Sequence, residues 1–366
     1  MSKIEVKRNK NTRIHGIDFK NLGFGKYFSD HIYLAKYENG KWQPGQILPY
    51  EAIPYEPGMM TLHYGQTIFE GLKAYKDFKN GGVNIFRPDM NAKRMVRSAN
   101  KVCIEPYPEE DFINALKKIV EVDNKFIPNE RGQSLYLRPL AFGDGNFLGV
   151  HKSETYSFMI MTSPVASYYP EGLKPVKILV SHEFARTVEG GLGDAKTAAN
   201  YAASLYAGEM AKKQGYNQVL WLDGKHREYV DEVGAMNIMF VINGEIVTPP
   251  LDTGTILAGV TRNTVIHLAK QWGLKVNERR IKIDEVFEAH KKGELQEVFG
   301  TGTAATVSPV GILSYKDETI EINNGKIGPI AQKLYDTITG IQHGDIEDTN
   351  NWNIHLDVFE EASIVA

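Results

Sequence analysis

The chain has 366 residues, of which 42% are hydrophobic and 24% charged, values typical of a globular protein of one large domain or two ordinary ones. Its 45 acidic residues nearly balance 42 basic residues, for a formal net charge of -3, so composition indicates neither a nucleic acid nor an anionic membrane as a partner. No apolar run reaches the roughly 18 residues of a membrane-spanning helix, and the histidine spacing predicts no metal site.

Cys103 is the single cysteine of the sequence. Intramolecular disulfides are therefore excluded, which favours a reducing compartment and a cytoplasmic location. We expect Cys103 to be a small core residue, with a reactive thiol as the alternative. The N-terminal segment is basic but no apolar run follows it, so the sequence predicts no secretory signal and leaves a transit peptide open.

Strand and helix patterns are mixed in the first part of the chain. Alternation predicts a strand over 30–37, closed by an Asn39-Gly40 turn, and later strands over 134–138 and 156–161. Apolar residues at helical spacing predict one helix opening at Pro88 and a second at Pro108. The expected inward faces are Ala92, Met95, Val96 and Ala99 in the first helix, and Phe112, Leu116, Ile119 and Val120 in the second.

A segment containing prolines and a glycine, 164–175, is the predicted linker between an N-terminal domain, 1–163, and a C-terminal domain, 176–366. Beyond it, β patterns occupy 176–180 and 217–222, the latter ending at an Asp223-Gly224 turn. A hairpin is predicted over 235–248, with Asn243-Gly244 as a type I′ turn.

Four helices are predicted in the second domain. One follows Lys196, buries Ala202, Leu205 and Tyr206 and ends near Gly215. Another covers 261–272 and is stopped by Gly273. The remaining two begin near Asp284 and Pro329. Because regular βαβ alternation is missing, the sequence predicts an α+β fold rather than a Rossmann domain.

A glycine-rich loop, 190–193, precedes Lys196. Three hypotheses compete for this lysine: an exposed turn residue, the lysine of a phosphate-binding P-loop, and a lysine that binds a cofactor covalently. Ala195 stands where a P-loop has its second glycine, and the residues before the loop are a poor buried strand, so the P-loop is disfavoured. The other two hypotheses stay open at this point.

Two further loops have compositions typical of phosphate binding. Gly259 precedes a helix whose first residue, Thr261, can cap the helix or donate to an anion, and ordinary capping is the alternative. Residues 300–304 combine two glycines with two threonines, which suits a nest of N–H donors, but no helix follows as a dinucleotide fingerprint requires. A lysine with phosphate cradles and no nucleotide motif favours pyridoxal 5′-phosphate as cofactor.

Several separated blocks occur in the order of one enzyme family. They are Phe24-Gly25, Asp30-His31, His63-Tyr64, Phe69-Glu70-Gly71-Leu72-Lys73, Phe86-Arg87-Pro88, Arg94-Met95, Tyr136-Leu137-Arg138-Pro139, Lys196, Asn200-Tyr201, Glu232-Val233-Gly234, Met236-Asn237, Gly259-Val260-Thr261-Arg262 and Gly302-Thr303-Ala304. Through these blocks the chain resembles the branched-chain amino acid aminotransferases, which are fold-type IV pyridoxal phosphate enzymes. The resemblance implies the two-domain α+β architecture that this group shares with D-amino acid aminotransferases.

The resemblance also implies a reaction and roles toward the cofactor. L-Leucine, L-isoleucine or L-valine would exchange its amino group with 2-oxoglutarate in a reversible ping-pong reaction. Lys196 would bind the cofactor as a Schiff base and later move the proton between Cα and C4′. Glu232 would pair with the pyridine nitrogen, and Tyr201 would hydrogen-bond the phenolic oxygen. The phosphate would be held by Arg94, Val260, Thr261 and Thr303.

On the substrate side, the resemblance implies that Tyr64, Tyr136, Arg138 and the backbone around Thr303-Ala304 position the α-carboxylate. Arg138 would also aid the γ-carboxylate of glutamate. The apolar walls would be Phe24, Phe69 and Tyr168. Leu148 resembles a residue that the family contributes across a subunit interface, so a homodimer is implied.

Two departures from the family pattern stand out. Residues 305–308 lack the C-x-x-C pair of some members, so thiol-based control should be absent, and Ala235 replaces a threonine, which makes that side of the pocket less polar. The alternatives are an aminodeoxychorismate lyase, a D-amino acid aminotransferase and a cofactor-free binding protein of the same fold. The Tyr136-Arg138 pair argues against the lyase, and intact Lys196 and Glu232 argue against the binding protein.

Overall fold

The computed structural model describes residues 4–167 and 173–358. They fall into two compact units: the first contains 4–167, 195–198 and 339–358, and the second contains 173–194 and 199–338. The expected linker 164–175 lies partly outside the described residues, and Pro164 and Val165 belong to a strand.

Strands and helices do not alternate regularly along the described chain. They are β1 Glu5–Val6, β2 His31–Glu38, β3 Lys41–Trp42, β4 Gln46–Pro49, β5 Thr67–Phe69, β6 Leu72–Lys76, β7 Val83–Phe86, β8 Ser134–Gly143, β9 Tyr156–Val165, β10 Val176–Ser181, β11 Gln218–Leu222, β12 Val230–Val233, β13 Met236–Ile242, β14 Glu245–Thr248, β15 Val276–Glu278, β16 Leu295–Gly302, β17 Thr306–Tyr315, β18 Glu318–Glu321 and β19 Asn353–Leu356.

The helices are α1 Met60–Tyr64, α2 Pro88–Lys101, α3 Glu109–Val122, α4 Ala198–Ala202, α5 Leu205–Lys213, α6 Val260–Gln271, α7 Ile283–Lys291 and α8 Pro329–Gln342. Short 3-10 turns occupy Ile14–Gly16, Asn124–Phe126 and Asn323–Gly325. Within the described part of the chain, none of these helices is long and apolar enough to cross a membrane.

The first unit is built on one sheet with the strand order β1-β4-β2-β9-β8-β6-β7-β19. β3 extends it from β2, and β5 pairs with β8. Neighbouring strands are antiparallel except for β1 and β4. The amphipathic helices α2 and α3 pack against each other, and α3 covers β2 and β9. Phe112, Leu116 and Ile119 are fully buried there, so the apolar stripe of α3 contributes to the core of the unit.

The second unit contains a sheet that closes on itself. Its order is β12-β11-β10-β17-β16-β13-β14-β15, and β12 also pairs with β13. Six strands therefore form a ring, from which β14, β15 and β18 extend. Parallel pairing of β10 with β11 and β17 makes this sheet mixed. Phe240 and Val298, on adjacent strands of the ring, are buried in its apolar core.

Several sequence predictions are confirmed. Helices α2 and α3 have the expected buried faces, except that Val96 is only half-buried. The β13–β14 hairpin turns through Asn243 and Gly244, whose φ angles of 49° and 75° are those of a type I′ turn. Residues 306–311 lie in β17, not in a helix. The combination of helices and mixed sheets confirms the α+β class.

Two local predictions are wrong. The helix after Lys196 is two helices, α4 and α5. Ala207 and Ala211 are buried, whereas the expected Ala202 is exposed and Leu205 and Tyr206 are 67% and 64% exposed. The small alanine face packs closely on β11, and the large side chains point outward. Cys103 is exposed, because it lies in the turn after α2 with a φ of 57° and its neighbour Ile104 takes the core position instead.

Candidate active site

The backbone of Lys196 is fixed within the first unit by two hydrogen bonds of its own and one of the next residue. Its N–H donates to Oγ of Ser98 at 2.9 Å, and its carbonyl accepts from the N–H of Phe69 at 3.0 Å. The hydroxyl of the next residue, Thr197, donates to the carbonyl of Thr67 at 2.7 Å. Residues 196 and 197 thus extend along β5, and the side chain of Lys196 starts from a backbone with little freedom.

Five of the predicted site residues form one connected cluster in the first unit that includes the Phe69 ring. The Phe69 ring has Nζ of Lys196 at 4.8 Å and the Arg138 guanidinium at 4.7 Å from its centroid. Nη2 of Arg138 donates to the hydroxyl of Tyr136 at 2.9 Å, and Phe24 contacts Tyr136 edge-on at 5.0 Å. Nε of Arg138 is buried and has no hydrogen-bond partner in the described part of the chain.

Arg94 lies on α2 and is 4% exposed. Its Nε and Nη2 each donate to the Glu70 carboxylate at 2.7 Å, in a bidentate ion pair. Glu70 is fully buried and also accepts from Asn91 at 2.7 Å. The sequence blocks contain Glu70, but spacing alone gives no sign that it is the partner of Arg94.

The other expected residues of the first unit are more exposed. Tyr64 ends α1 and is 42% exposed. Leu148 is 69% exposed in the loop between β8 and β9, beside the exposed Phe147 and Val150. Tyr168 lies outside the described residues.

Glu232 is the centre of a charged cluster in the second unit. It lies on β12, is 3% exposed, and forms an ion pair with Nη2 of Arg186. Nδ2 of Asn237 donates to its Oε1 at 3.1 Å. The adjacent Asp231 is also buried, and burial, together with the charge of Glu232, raises the pKa of Asp231 to about 7. Arg186 was not predicted, because 46 residues separate it from Glu232.

The two predicted phosphate cradles of the second unit are formed by backbone. α6 begins at Val260, one residue before the expected start, and its N-cap Gly259 makes no side-chain capping bond. The N–H groups of the first turn therefore have no side-chain cap. Thr303 and Ala304 lie in the turn between β16 and β17, and a Cβ at Gly302 would lie 2.9 Å from the Met236 side chain.

Tyr201, the residue expected to bind the phenolic oxygen, is half-buried on α4.

The sequence places the chain among known proteins. The profile of the amino-transferase class IV family matches residues 67–312. Branched-chain-amino-acid aminotransferase 2 of Bacillus subtilis is 52% identical over 94% of this chain and 95% of its own length. A probable branched-chain-amino-acid aminotransferase of Staphylococcus aureus is 50% identical over 92% and 94% of the two chains.

Solved structures give the same result. A branched-chain amino acid aminotransferase from the organism abbreviated T.th., solved with pyridoxamine 5′-phosphate, superposes with a TM-score of 0.74 at 29% identity, covering 89% of this chain and 98% of that one. The Escherichia coli branched-chain amino acid aminotransferase has a TM-score of 0.71 at 26% identity, with coverages of 89% and 98%. The chain belongs to the amino-transferase class IV family.

Proposed function

We propose that the protein is a branched-chain amino acid aminotransferase. It moves the amino group of L-leucine, L-isoleucine or L-valine to 2-oxoglutarate, and yields branched-chain 2-oxo acids and L-glutamate by a reversible ping-pong mechanism. The observation that carries the proposal is the Lys196 amine, which lies against the Phe69 ring on a backbone fixed by Ser98, while Arg138 contacts the same ring. The extended identity to curated enzymes of that name supports it.

The cofactor is pyridoxal 5′-phosphate, and the polar groups of the chain fit it. They include a lysine amine, a buried carboxylate for the ring nitrogen, a helix N-terminus without a side-chain cap and a glycine- and threonine-containing turn. When bound, the cofactor withdraws electrons from the substrate Cα and makes its proton acidic.

The chain's own residues then have separate tasks. Lys196 would hold the cofactor through Nζ and would move the proton between Cα and C4′. Glu232 would keep a proton on the pyridine nitrogen, and its ion pair with Arg186 favours the carboxylate form required for this. Tyr201 would donate to the phenolic oxygen. The phosphate would be held by Arg94, Val260, Thr261 and Thr303.

Substrate recognition combines one charged group with aromatic walls. Arg138, with Tyr136, Tyr64 and the backbone around Thr303-Ala304, positions carboxylates of the substrate. The buried Nε of Arg138 is a donor that such an anion would satisfy. Phe24, Phe69 and Tyr168 form the apolar wall for a branched side chain, which such a pocket selects by shape at about 1–3 kcal/mol per methylene.

We also propose a homodimer in the cytoplasm. The exposed apolar residues Phe147, Leu148 and Val150, which are 55%, 69% and 88% exposed, support an interface at this loop, since contiguous exposed apolar surface often marks association sites. The single cysteine supports a reducing compartment.

An absorbance spectrum of the purified holoenzyme tests the proposed function. We expect a visible band from the lysine-bound cofactor that disappears when L-leucine is added and returns with 2-oxoglutarate. A band that responds to D-alanine or aminodeoxychorismate but not to leucine would assign another reaction of the same fold. The absence of any band after incubation with pyridoxal phosphate would contradict the cofactor role of Lys196.

A further inference from the structure

Asn237 occupies a central position in the ring of strands in the second unit. It lies opposite Glu232 on β12 and opposite Thr301 on β16. Directly opposed residues of antiparallel strands have their side chains on the same face. Glu232, Asn237 and Thr301 are only 3%, 4% and 1% exposed. Buried polar groups need hydrogen-bond partners, and within this row the side chain of Asn237 is the partner of Glu232.

The amide of Asn237 joins two separate parts of the unit. Nδ2 donates to Oε1 of Glu232 at 3.1 Å and to the carbonyl of Leu257 at 2.9 Å. An amide nitrogen carries two protons, and both are used here. Leu257 lies two residues before Gly259, the N-cap of α6. Asn237 therefore connects the Glu232 carboxylate with the backbone that leads into α6.

Gly259 fits closely against the other end of the same amide. A Cβ at this position would lie 1.9 Å from Oδ1 of Asn237, which is far inside van der Waals contact. The φ of Gly259 is -68°, an angle that any residue adopts. Glycine is thus required here by the approach of Asn237 and not by backbone conformation.

We propose that Asn237 is a positioning residue that aligns the Glu232 carboxylate with the start of α6. The proposal rests on the proposed function, which assigns the ring nitrogen of the cofactor to Glu232 and its phosphate to Val260 and Thr261. The ring and phosphate of the cofactor are separated by a fixed covalent distance, so both protein contacts form together only if their spacing is correct. Asn237 sets that spacing through one planar group, and Arg186 binds the second carboxylate oxygen.

The first test compares Asn237→Ala with Thr248→Val in the full-length protein. Thr248 is a matched control because it is also buried and its hydroxyl donates to the carbonyl of Ile238 on β13, the strand of Asn237, at 2.7 Å. Pyridoxal phosphate is titrated into each apoprotein by tryptophan fluorescence. We expect the Kd of Asn237→Ala to rise roughly 10- to 100-fold, as for loss of a hydrogen bond to a charged group, and that of Thr248→Val to change less than about 2-fold, since it makes no contact with Glu232.

A spectroscopic signature separates positioning from simple weakening of the fold. When Glu232 is less well aligned, the ring nitrogen of the cofactor is less fully protonated. The ring then carries less positive charge, so Nζ of Lys196, joined to the cofactor, keeps its own proton to higher pH. The pH at which the visible band changes should therefore rise in Asn237→Ala saturated with cofactor. It should stay at the wild-type value in Thr248→Val.

A second variant perturbs the same amide without removing it. Gly259→Ala places a methyl group against Oδ1 of Asn237, so we expect its Kd for pyridoxal phosphate to rise in a similar range. In the double variant the clash is absent, and Gly259→Ala should add little to Asn237→Ala. If the Kd increases of the two single variants multiply in the double variant, the connection between Asn237 and α6 is overturned. Gly259→Ala alone also provides the test if Asn237→Ala does not fold.

The outcomes distinguish this proposal from the proposed function. A wild-type protein that binds no pyridoxal phosphate and does not act on L-leucine would contradict the function itself. A wild type that does both, with Asn237→Ala equal to Thr248→Val in Kd and in the pH of the band change, would overturn the role of Asn237 alone.

Discussion

Ser98 accepts a hydrogen bond from the main-chain N–H of Lys196, with a distance of 2.9 Å between nitrogen and Oγ. Ser98 is fully buried on α2, four residues after Arg94 and therefore on the same face of the helix. One helix face thus supports the candidate catalytic lysine and carries a candidate phosphate ligand.

We expect Ser98→Ala to lower kcat by about 10-fold or more, because small displacements of a reacting group are costly. The KM for leucine should change less, since the residues assigned to its carboxylate are untouched. Steady-state kinetics measure both. Ser134→Ala is the control, because it removes a buried hydroxyl that has no partner in the described part of the chain. Equal effects of the two variants would mean that Ser98 does not position Lys196.

Lys196→Ala should abolish transamination and the visible band, because no other group is proposed to attach the cofactor or move the Cα proton. Circular dichroism should show a folded protein, since the backbone bonds of residue 196 do not depend on its side chain. Lys213→Ala, at the exposed end of α5, should behave as wild type. Turnover retained by Lys196→Ala would remove the catalytic assignment.

Glu70→Ala should destabilise the apoprotein by about 3–5 kcal/mol, because it leaves the buried Arg94 guanidinium without its ionic partner. Urea denaturation measures this change. Glu121→Gln is the matched control, since its ion pair with Lys118 is exposed and should be worth less than about 1 kcal/mol. A Glu70→Ala protein as stable as the control would show that another group compensates Arg94.

Asp231→Asn should be more stable than the wild type at alkaline pH. Burial raises the pKa of Asp231 from its ordinary value of 3.8 to about 7, so the folded state holds this proton more tightly than the unfolded state. Wild-type stability contributed by the protonated form is complete below about pH 4 and is lost as the pH rises to about 7. Asparagine does not titrate and still accepts from Oγ1 of Thr255. We expect a gain of about 2–4 kcal/mol at pH 8 and little at pH 4.

Urea denaturation at the two pH values checks this prediction. Asp223→Asn serves as the control of opposite sign. Burial acts against ionisation of Asp223, but the backbone N–H groups of residues 225, 226, 228 and 229 outweigh it and lower its pKa, so that variant should lose stability at pH 8. Asp231→Asn with an unchanged pH dependence would mean that Asp231 is ionised in the folded protein.

The sequence predicted best those elements whose patterns are local. α3 has four apolar residues at helical spacing, and the Asn243-Gly244 turn requires two positive φ angles that these residues adopt readily. β8 and β9 continue beyond their predicted ends, through Pro139 and Pro164. The face predicted for α5 is wrong, because close packing on β11 selects the alanines of the helix and leaves Leu205 and Tyr206 exposed.

The candidate site likewise divides into residues that the sequence identifies and residues that only the folded structure brings into contact. The aromatic and basic residues of the Phe69 cluster could be named from the resemblance, and the structure brings five of them together, Phe69 included. The residues that hold them could not be predicted, because Ser98, Glu70 and Arg186 meet their partners across 98, 24 and 46 positions of sequence. Neither periodicity nor spacing carries information over such separations without a fold.

The first unit is assembled from pieces that are not contiguous in the chain. Its strand β7 is buried along its whole length and pairs with β19, at residues 353–356, while β5 pairs with the segment around Thr197. During synthesis on the ribosome, the edge of β5 stays open until the segment around Thr197 has been made. The edge of β7 stays open until the second unit has been made, because β19 follows that unit in the chain. A protein fragment ending at residue 167 would retain both exposed edges, so we expect it to aggregate rather than fold as an independent domain.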